Sequence, residues 1–228
     1  MNKKDLERLH EIQLDMAKEV KRVSSILNLH YFLIAGTLLG AMRNEGFIPW
    51  DDDMDIGMLR DEYEIFIRKA PALLKEEFFL QTWHSDKGFG LPMAKLRRNG
   101  TLFSEETSKN ASIHHGISID IFPYDAVPKN KMKKLWHKSV GYVVKRMILL
   151  KSAYTFYYAN DPKKRLLFSM LGKLTGFQNK STLIGFFEKH MTRYNDKPSD
   201  KVTIFGGAYS YDREAIERQW LGGYRMVL

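Results

Sequence analysis

The stretch Asp51-Asp52-Asp53-Met54-Asp55-Ile56-Gly57-Met58 carries the densest chemistry in the chain. Side chains alternate across a strand. Asp53 and Asp55 therefore share one face, and Met54, Ile56 and Met58 share the other. The apolar face belongs against a core. The two carboxylates, roughly 7 Å apart along the backbone, then project into one cleft. Unpaired, they repel, and one is driven to hold a proton. A hard divalent cation resolves the conflict, and an all-oxygen ligand set favours Mg²⁺ or Mn²⁺. In Ile117-Ser118-Ile119-Asp120-Ile121 the isoleucines share a face and Asp120 points the other way. If the two strands are neighbours, Asp120 joins the pair, and three carboxylates can hold one or two cations around a phosphate. Asp51 and Asp52 read as a cap or loop anchor behind the ligands.

Upstream, Gly36-Thr37-Leu38-Leu39-Gly40 reads as a turn that opens a short helix after a strand. Exposed N–H groups at a helix start bind phosphate, and Thr37 adds a hydroxyl. Arg43, two turns on, offers a bidentate guanidinium. Trp50, Trp83 and Tyr124 are candidates for stacking on a base or caging a quaternary ammonium. His84, His114 and His115 are weaker candidates for acid–base work.

These residues need elements to position them. Leu6, Leu9, Met16, Val20, Val23 and Leu27 form one stripe, so the first 28 residues predict an amphipathic helix. Tyr31–Ala35, Asp53–Met58, Phe78–Trp83, Leu91–Arg97 and Gly116–Phe122 predict strands, the last closed by Pro123. Asp61 to about Ala70 predicts a helix ended by Pro71. Thr101–Ala111 predicts a polar loop. Thr182–Tyr194 predicts a further helix, and Val202–Phe205 a last strand.

The chain has 228 residues, a formal net charge of +9 and no cysteine. That excludes a disulfide scaffold, a Cys-ligated zinc and a thiol nucleophile. The start is polar and no apolar run reaches the roughly 20 residues of a membrane span. The expected location is therefore cytoplasmic. Lys129–Lys180 holds thirteen Lys and Arg against Asp161 alone, so this block accounts for the whole positive balance. Its aromatic and aliphatic residues suit helices capping the core. They also suit peripheral association with an anionic membrane surface through 129–180, at the inner membrane face. No nucleic-acid signature accompanies them, so no nucleic acid is expected as a partner.

Tyr31 through Met58, and Gly116-Ile-Ser-Ile-Asp-Ile-Phe-Pro-Tyr-Asp-Ala-Val-Pro128, resemble the signature of the LicD family. Pro92-Met-Ala-Lys-Leu-Arg97 resembles the family's intervening strand, with Lys95 at its lysine. The resemblance implies an α+β fold: a nucleotidyltransferase-like mixed β-sheet flanked by helices, with the basic helical region added. It divides the chain into a core at 1–128, basic helices at 129–200 and a C-terminal segment at 201–228. Family members continue into a segment with a Tyr-Gly-Asp-like motif, so this chain is expected to be shortened there. The implied reaction moves a phospho-alcohol, phosphocholine foremost, from a CDP-alcohol donor to a sugar hydroxyl. The acceptor is a cell-surface glycan or its lipid-linked precursor, and CMP leaves. The resemblance maps metal ligation onto Asp53 and Asp55, with Asp120 as third carboxylate. Gly36, Thr37, Arg43, Trp50 and Lys95 are the expected substrate-binding residues. The alternatives are an ordinary nucleotidyltransferase attacking the α-phosphorus of an NTP, and a nucleotide-binding chain without turnover.

Overall fold

The apolar stripe of the first helix finds its partner on one face of a mixed sheet. The computed structural model describes residues 1–154 and 179–221, together with Leu166, Met170 and Gly176. Helix α1 runs Lys3–Leu27. The Asn2 side chain caps it by accepting from the Asp5 N–H, and Asn28 ends it in the left-handed region at φ 53°. Asn tolerates that conformation better than most residues. The strands are β1 Phe32–Leu33, β2 Asp55–Leu59, β3 Phe78–Gln81, β4 Ala94–Arg98, β5 Ser118–Ala126, β6 Lys201–Thr203 and β7 Ile216–Glu217. Further helices are α2 Ala35–Asn44, α3 Arg60–Lys69, α4 Lys131–Lys151 and α5 Lys180–Met191. The expected breaks of the basic block near Asn160-Asp161-Pro162 and Gly172–Gly176 lie outside the described residues, Gly176 apart. Among the described residues, no helix is long and apolar enough to cross a membrane.

The sheet order is β1-β2-β5-β4-β3, with β6 on the far end of β5 and β7 on β6. β2 and β5 are parallel and the other pairs antiparallel. The back face carries Met54, Ile56, Met58, Leu80, Leu96, Ile119 and Ile121, all buried with Met16, Val20 and Val23 of α1 and Phe66 of α3. Full burial of each such side chain contributes roughly 1.5–3 kcal/mol, so this face fixes which residues point forward. Gly57 is required here, because a Cβ would lie 2.3 Å from the Phe32 ring on β1.

Two strand boundaries differ from expectation. β2 starts at Asp55 rather than Asp53, because β1 gives way to α2 just after Leu33, the residue opposite Ile56. Residues 51–53 are held by α1 instead: His10 donates to the Asp51 carbonyl (2.6 Å) and Gln13 to that of Asp52 (3.0 Å). β5 runs through Pro123 to Ala126. Asp120 donates its N–H toward β2, to the Met54 carbonyl. Position 123 therefore faces the β4 side, beyond the last β4 pairing at Ala94–Ile121, where a missing N–H costs no ladder bond.

α4 and α5 pack on each other through Val144, Met147, Ile148, Leu183, Ile184 and Phe187. Arg60 at the start of α3 forms a bidentate pair with buried Asp125 on β5 (2.8 and 2.5 Å). Asn195 also donates to Asp125 (2.8 Å) and accepts from the Ala126 N–H (2.8 Å). This network ties the helical layer to the end of the central strand.

Candidate active site

The register of three strands assembles the front of the sheet. Asp55 lies opposite Asp120, Asp120 opposite Lys95, and Lys95 opposite Gln81. One row across β2, β5, β4 and β3 thus holds two carboxylates, an ammonium and an amide. Lys95 is buried, and its Nζ lies 2.8 Å from Asp120 Oδ1 and 2.9 Å from Glu105 Oε1. Two residues along β4, buried Arg97 donates to Gln81 Oε1 (2.8 Å) and to the Gly116 carbonyl (2.7 Å). Lys95 and Asp120 of this row line a cleft of about 240 Å³, together with Asp52, Asp53, Phe103, Glu105, Thr107 and Ser118.

Asp53 stands at the rim, just ahead of β2. Asp51, Asp52 and Asp53 each bring a carboxylate oxygen within 4.8 Å of the others. The structure therefore draws Asp51 and Asp52, read from sequence as anchors, up beside Asp53. Loss of water and the charges of Asp51, Asp120 and Asp52 raise Asp53 to about 6. Burial, then Asp120 and Asp53, raise Asp55 to about 8, with Lys95 opposing. Burial raises Asp120 too, although Lys95 pulls it down. Burial works against the Lys95 charge, but Asp120 and Glu105 outweigh it and raise the ammonium. The acidic end is thus a place where negative charge lacks a counterion, while Asp120 already has one.

Helix α2 begins at this same end. Gly36 and Thr37 lie inside its first turn rather than in a preceding turn, and no side chain caps it. Its first N–H groups consequently have no intrahelical partner. Ala35 takes a left-handed φ of 48°, a strained choice for a residue with a Cβ, costing on the order of 1 kcal/mol or more. Thr37 Oγ1 accepts from the Asp55 N–H (2.8 Å), which leaves its own proton to donate. Gly36 lets Asp51 approach, since a Cβ there would lie 2.5 Å from Asp51 Oδ2.

The structure thus brings together Asp53, Asp55, Asp120, Lys95, Gly36 and Thr37. Arg43 does not join them: it is exposed in the last turn of α2, at the opposite end of that helix. Trp50 is 80% exposed beside Asp51 and available to a ligand. Trp83 instead donates its indole N–H to Glu188 (2.9 Å) and packs on Phe187. Tyr124 is buried against Phe32. His84 pairs with Glu188, His114 with Asn99, and His115 with the Ala111 carbonyl. Glu105 and Arg97 escaped the sequence reading as site residues: Glu105 sits in a polar loop without a period, and Arg97 was read only as the end of its strand. The available signal was indirect: a lysine buried in a strand requires counter-charges.

Asp53, Asp55, Lys95, Glu105 and Asp120 all lie within one stretch of chain that matches a known family. The model for "LicD/FKTN/FKRP, nucleotidyltransferase domain" matches residues 28–154, more than half of the chain. Similar proteins include the lipopolysaccharide cholinephosphotransferase LicD of Haemophilus influenzae, 36% identical over 101 residues, or 44% of this chain and 37% of that protein. An uncharacterized protein of Rickettsia typhi is 40% identical over 120 residues, or 53% of this chain and 36% of its own length. The chain therefore matches little more than a third of either relative's length. The mixed sheet flanked by helices, with its parallel β2–β5 pair, is the nucleotidyltransferase-like α+β fold expected. The chain belongs to the LicD/FKTN/FKRP nucleotidyltransferase-domain family.

Proposed function

We propose that this chain transfers a phospho-alcohol, phosphocholine foremost, from a CDP-alcohol to a sugar hydroxyl of a cell-surface glycan or its lipid-linked precursor. The observation that carries the reading is the row Asp55–Asp120–Lys95 beside the Asp51–Asp53 cluster. The donor set is all carboxylate, and burial with mutual repulsion raises Asp53 and Asp55, a conflict that Mg²⁺ or Mn²⁺ would relieve. Asp53 and Asp55 would hold the ion, with Asp51 and Asp52 beside them. A bound cation supplies charge neutralisation for the diphosphate.

The remaining work falls to the chain's own groups. Positioned charge is the main resource in phosphoryl transfer. Lys95 lies on the cleft floor to neutralise charge growing on the phosphoryl oxygens. The free N–H groups of α2 and the Thr37 hydroxyl face the same charge from the side. Asp120 would help hold the cation, or would accept the proton of the attacking sugar hydroxyl as its oxygen bonds to phosphorus and CMP departs. Trp50 offers a stacking face for the cytosine or the alcohol's ammonium. The outward face of α4 exposes Met132, Leu135, Trp136 and Tyr142 among lysines, which supports peripheral attachment to an anionic membrane near lipid-linked acceptors.

The test supplies Mg²⁺, a lipid-linked glycan acceptor and a panel of CDP-choline, CDP-ethanolamine, CDP-ribitol, CDP-glycerol and CTP. CMP release from one CDP-alcohol, lost by several orders of magnitude in Asp53→Asn, is the expected result. Pyrophosphate from CTP points instead to an ordinary nucleotidyltransferase. Near wild-type turnover in Asp53→Asn overturns the site assignment.

A further inference from the structure

Lys95 is shared between two acids, and only one of them lies in a strand. Its Nζ contacts both oxygens of Asp120 (2.8 and 3.0 Å) and Oε1 of Glu105 (2.9 Å). Glu105 also lies 3.8 Å from the Arg97 guanidinium. Lys95, Arg97, Asp120 and Glu105 therefore form a charge-balanced set of two cations and two acids. Glu105 sits on the connection between β4 and β5, which is anchored at both ends. Thr101 Oγ1 donates to the Arg98 carbonyl and accepts from the Ile117 N–H, and the Phe103 N–H donates to the His115 carbonyl. Its carboxylate is thus delivered to Lys95 by a fixed wall of the cleft.

We infer that Glu105 is a positioning residue that shares the Lys95 ammonium with Asp120 and so leaves part of the Asp120 charge to a divalent cation. This rests on the metal reading given above. With Glu105 neutral, Lys95 has one acid left and pairs with Asp120 alone. Arg97 also loses its nearest counter-charge. An approaching cation then meets an Asp120 already neutralised and a site one unit more positive. Across a water-filled cleft, one unit charge roughly 7 Å from a divalent ion amounts to about a tenfold change in affinity.

The experiment measures Mn²⁺ binding to the full chain by the electron paramagnetic resonance signal of free Mn²⁺, with circular dichroism melting as a check on folding. Glu105→Gln is expected to weaken Mn²⁺ about tenfold. Lys95→Met alone is expected to tighten it. The double variant Lys95→Met/Glu105→Gln is expected to recover wild-type affinity or better, which a merely structural role for Glu105 would not produce. Unchanged affinity in Glu105→Gln overturns the inference, as does a double variant no tighter than Glu105→Gln. Should Glu105→Gln fail to fold, a Lys95→Met chain that binds Mn²⁺ more weakly than wild type overturns it equally. Absence of Mn²⁺ binding by the wild-type chain overturns the metal reading and this inference together, whereas binding that ignores Glu105 and Lys95 overturns this inference alone.

Discussion

Asp55 is the residue whose ionisation the fold opposes most plainly, and replacing it with asparagine should stabilise the cation-free protein while removing its response to metal. An acid raised by folding holds its proton more tightly in the folded chain than in the unfolded one. Its stability contribution is therefore whole at low pH and is lost as pH rises from the ordinary value of 3.8 toward the folded value of about 8. Between pH 5 and pH 8 that is about three units, or roughly 4 kcal/mol at 1.36 kcal/mol per unit. Even half of it moves the melting temperature of a chain this size by about 4–8 °C. Asp55→Asn, which keeps the shape and removes the charge, should match wild type more closely at pH 5 and exceed it by that margin at pH 8, both in chelator. Saturating Mn²⁺ at about a hundred times its Kd should then raise wild type by about 2.7 kcal/mol and leave Asp55→Asn unmoved. Differential scanning calorimetry at the two pH values, with and without Mn²⁺, reads all four quantities. A gap between the variants that does not grow with pH would refute the claim that Asp55 is a frustrated carboxylate.

Three further outcomes follow from other contacts. Thr37→Val removes the acceptor for the Asp55 N–H and should cost about 1–3 kcal/mol in chemical denaturation, with Thr37→Ser recovering most of it. Arg60→Met leaves buried Asp125 without its bidentate cation and should cost about 3–5 kcal/mol, and Arg60→Lys should not fully rescue it, because one ammonium cannot replace the fork. Trp50→Ala, at an exposed position, should leave the melting temperature within about 1 °C of wild type yet raise the KM for the CDP-alcohol severalfold in a CMP-release assay.

What was legible in the sequence was what repeats with a period. The stripe on α1 and the alternation of Met54, Ile56 and Met58 forecast the back face of the sheet, and with it the forward direction of Asp55 and Asp120. The row they form was legible only as a condition, since no local pattern says which strands are neighbours. The ends of β2 and β5 were missed because partners set them. β2 starts late where β1 has run out, and β5 passes through Pro123 where β4 has run out. Gly36 and Thr37 were read as a turn, because Gly36 and Gly40 bracket Thr37-Leu38-Leu39 just after a strand, but the helix begins at Ala35. Glu105 was invisible because a polar loop has no period, and its role exists only through Lys95 across the cleft. Arg43 was placed by its spacing from Gly36, and seven residues of helix carry it roughly 10 Å away from that end.

The pairing of Asp55 with Asp120 also bears on how relatives of this chain can differ in length. A single residue inserted or deleted inside β2 or β5 would turn every side chain beyond it to the opposite face, sending a carboxylate into the Ile119 and Ile121 layer. An insertion between Leu59 and Ser118 but outside β3 and β4 leaves that pairing intact, because closing a longer loop adds only about 0.6 kcal/mol per doubling. Length variation among homologues should therefore collect in the connections after α3, between β3 and β4 and in the wall that bears Glu105. The two aspartate strands themselves should align without gaps.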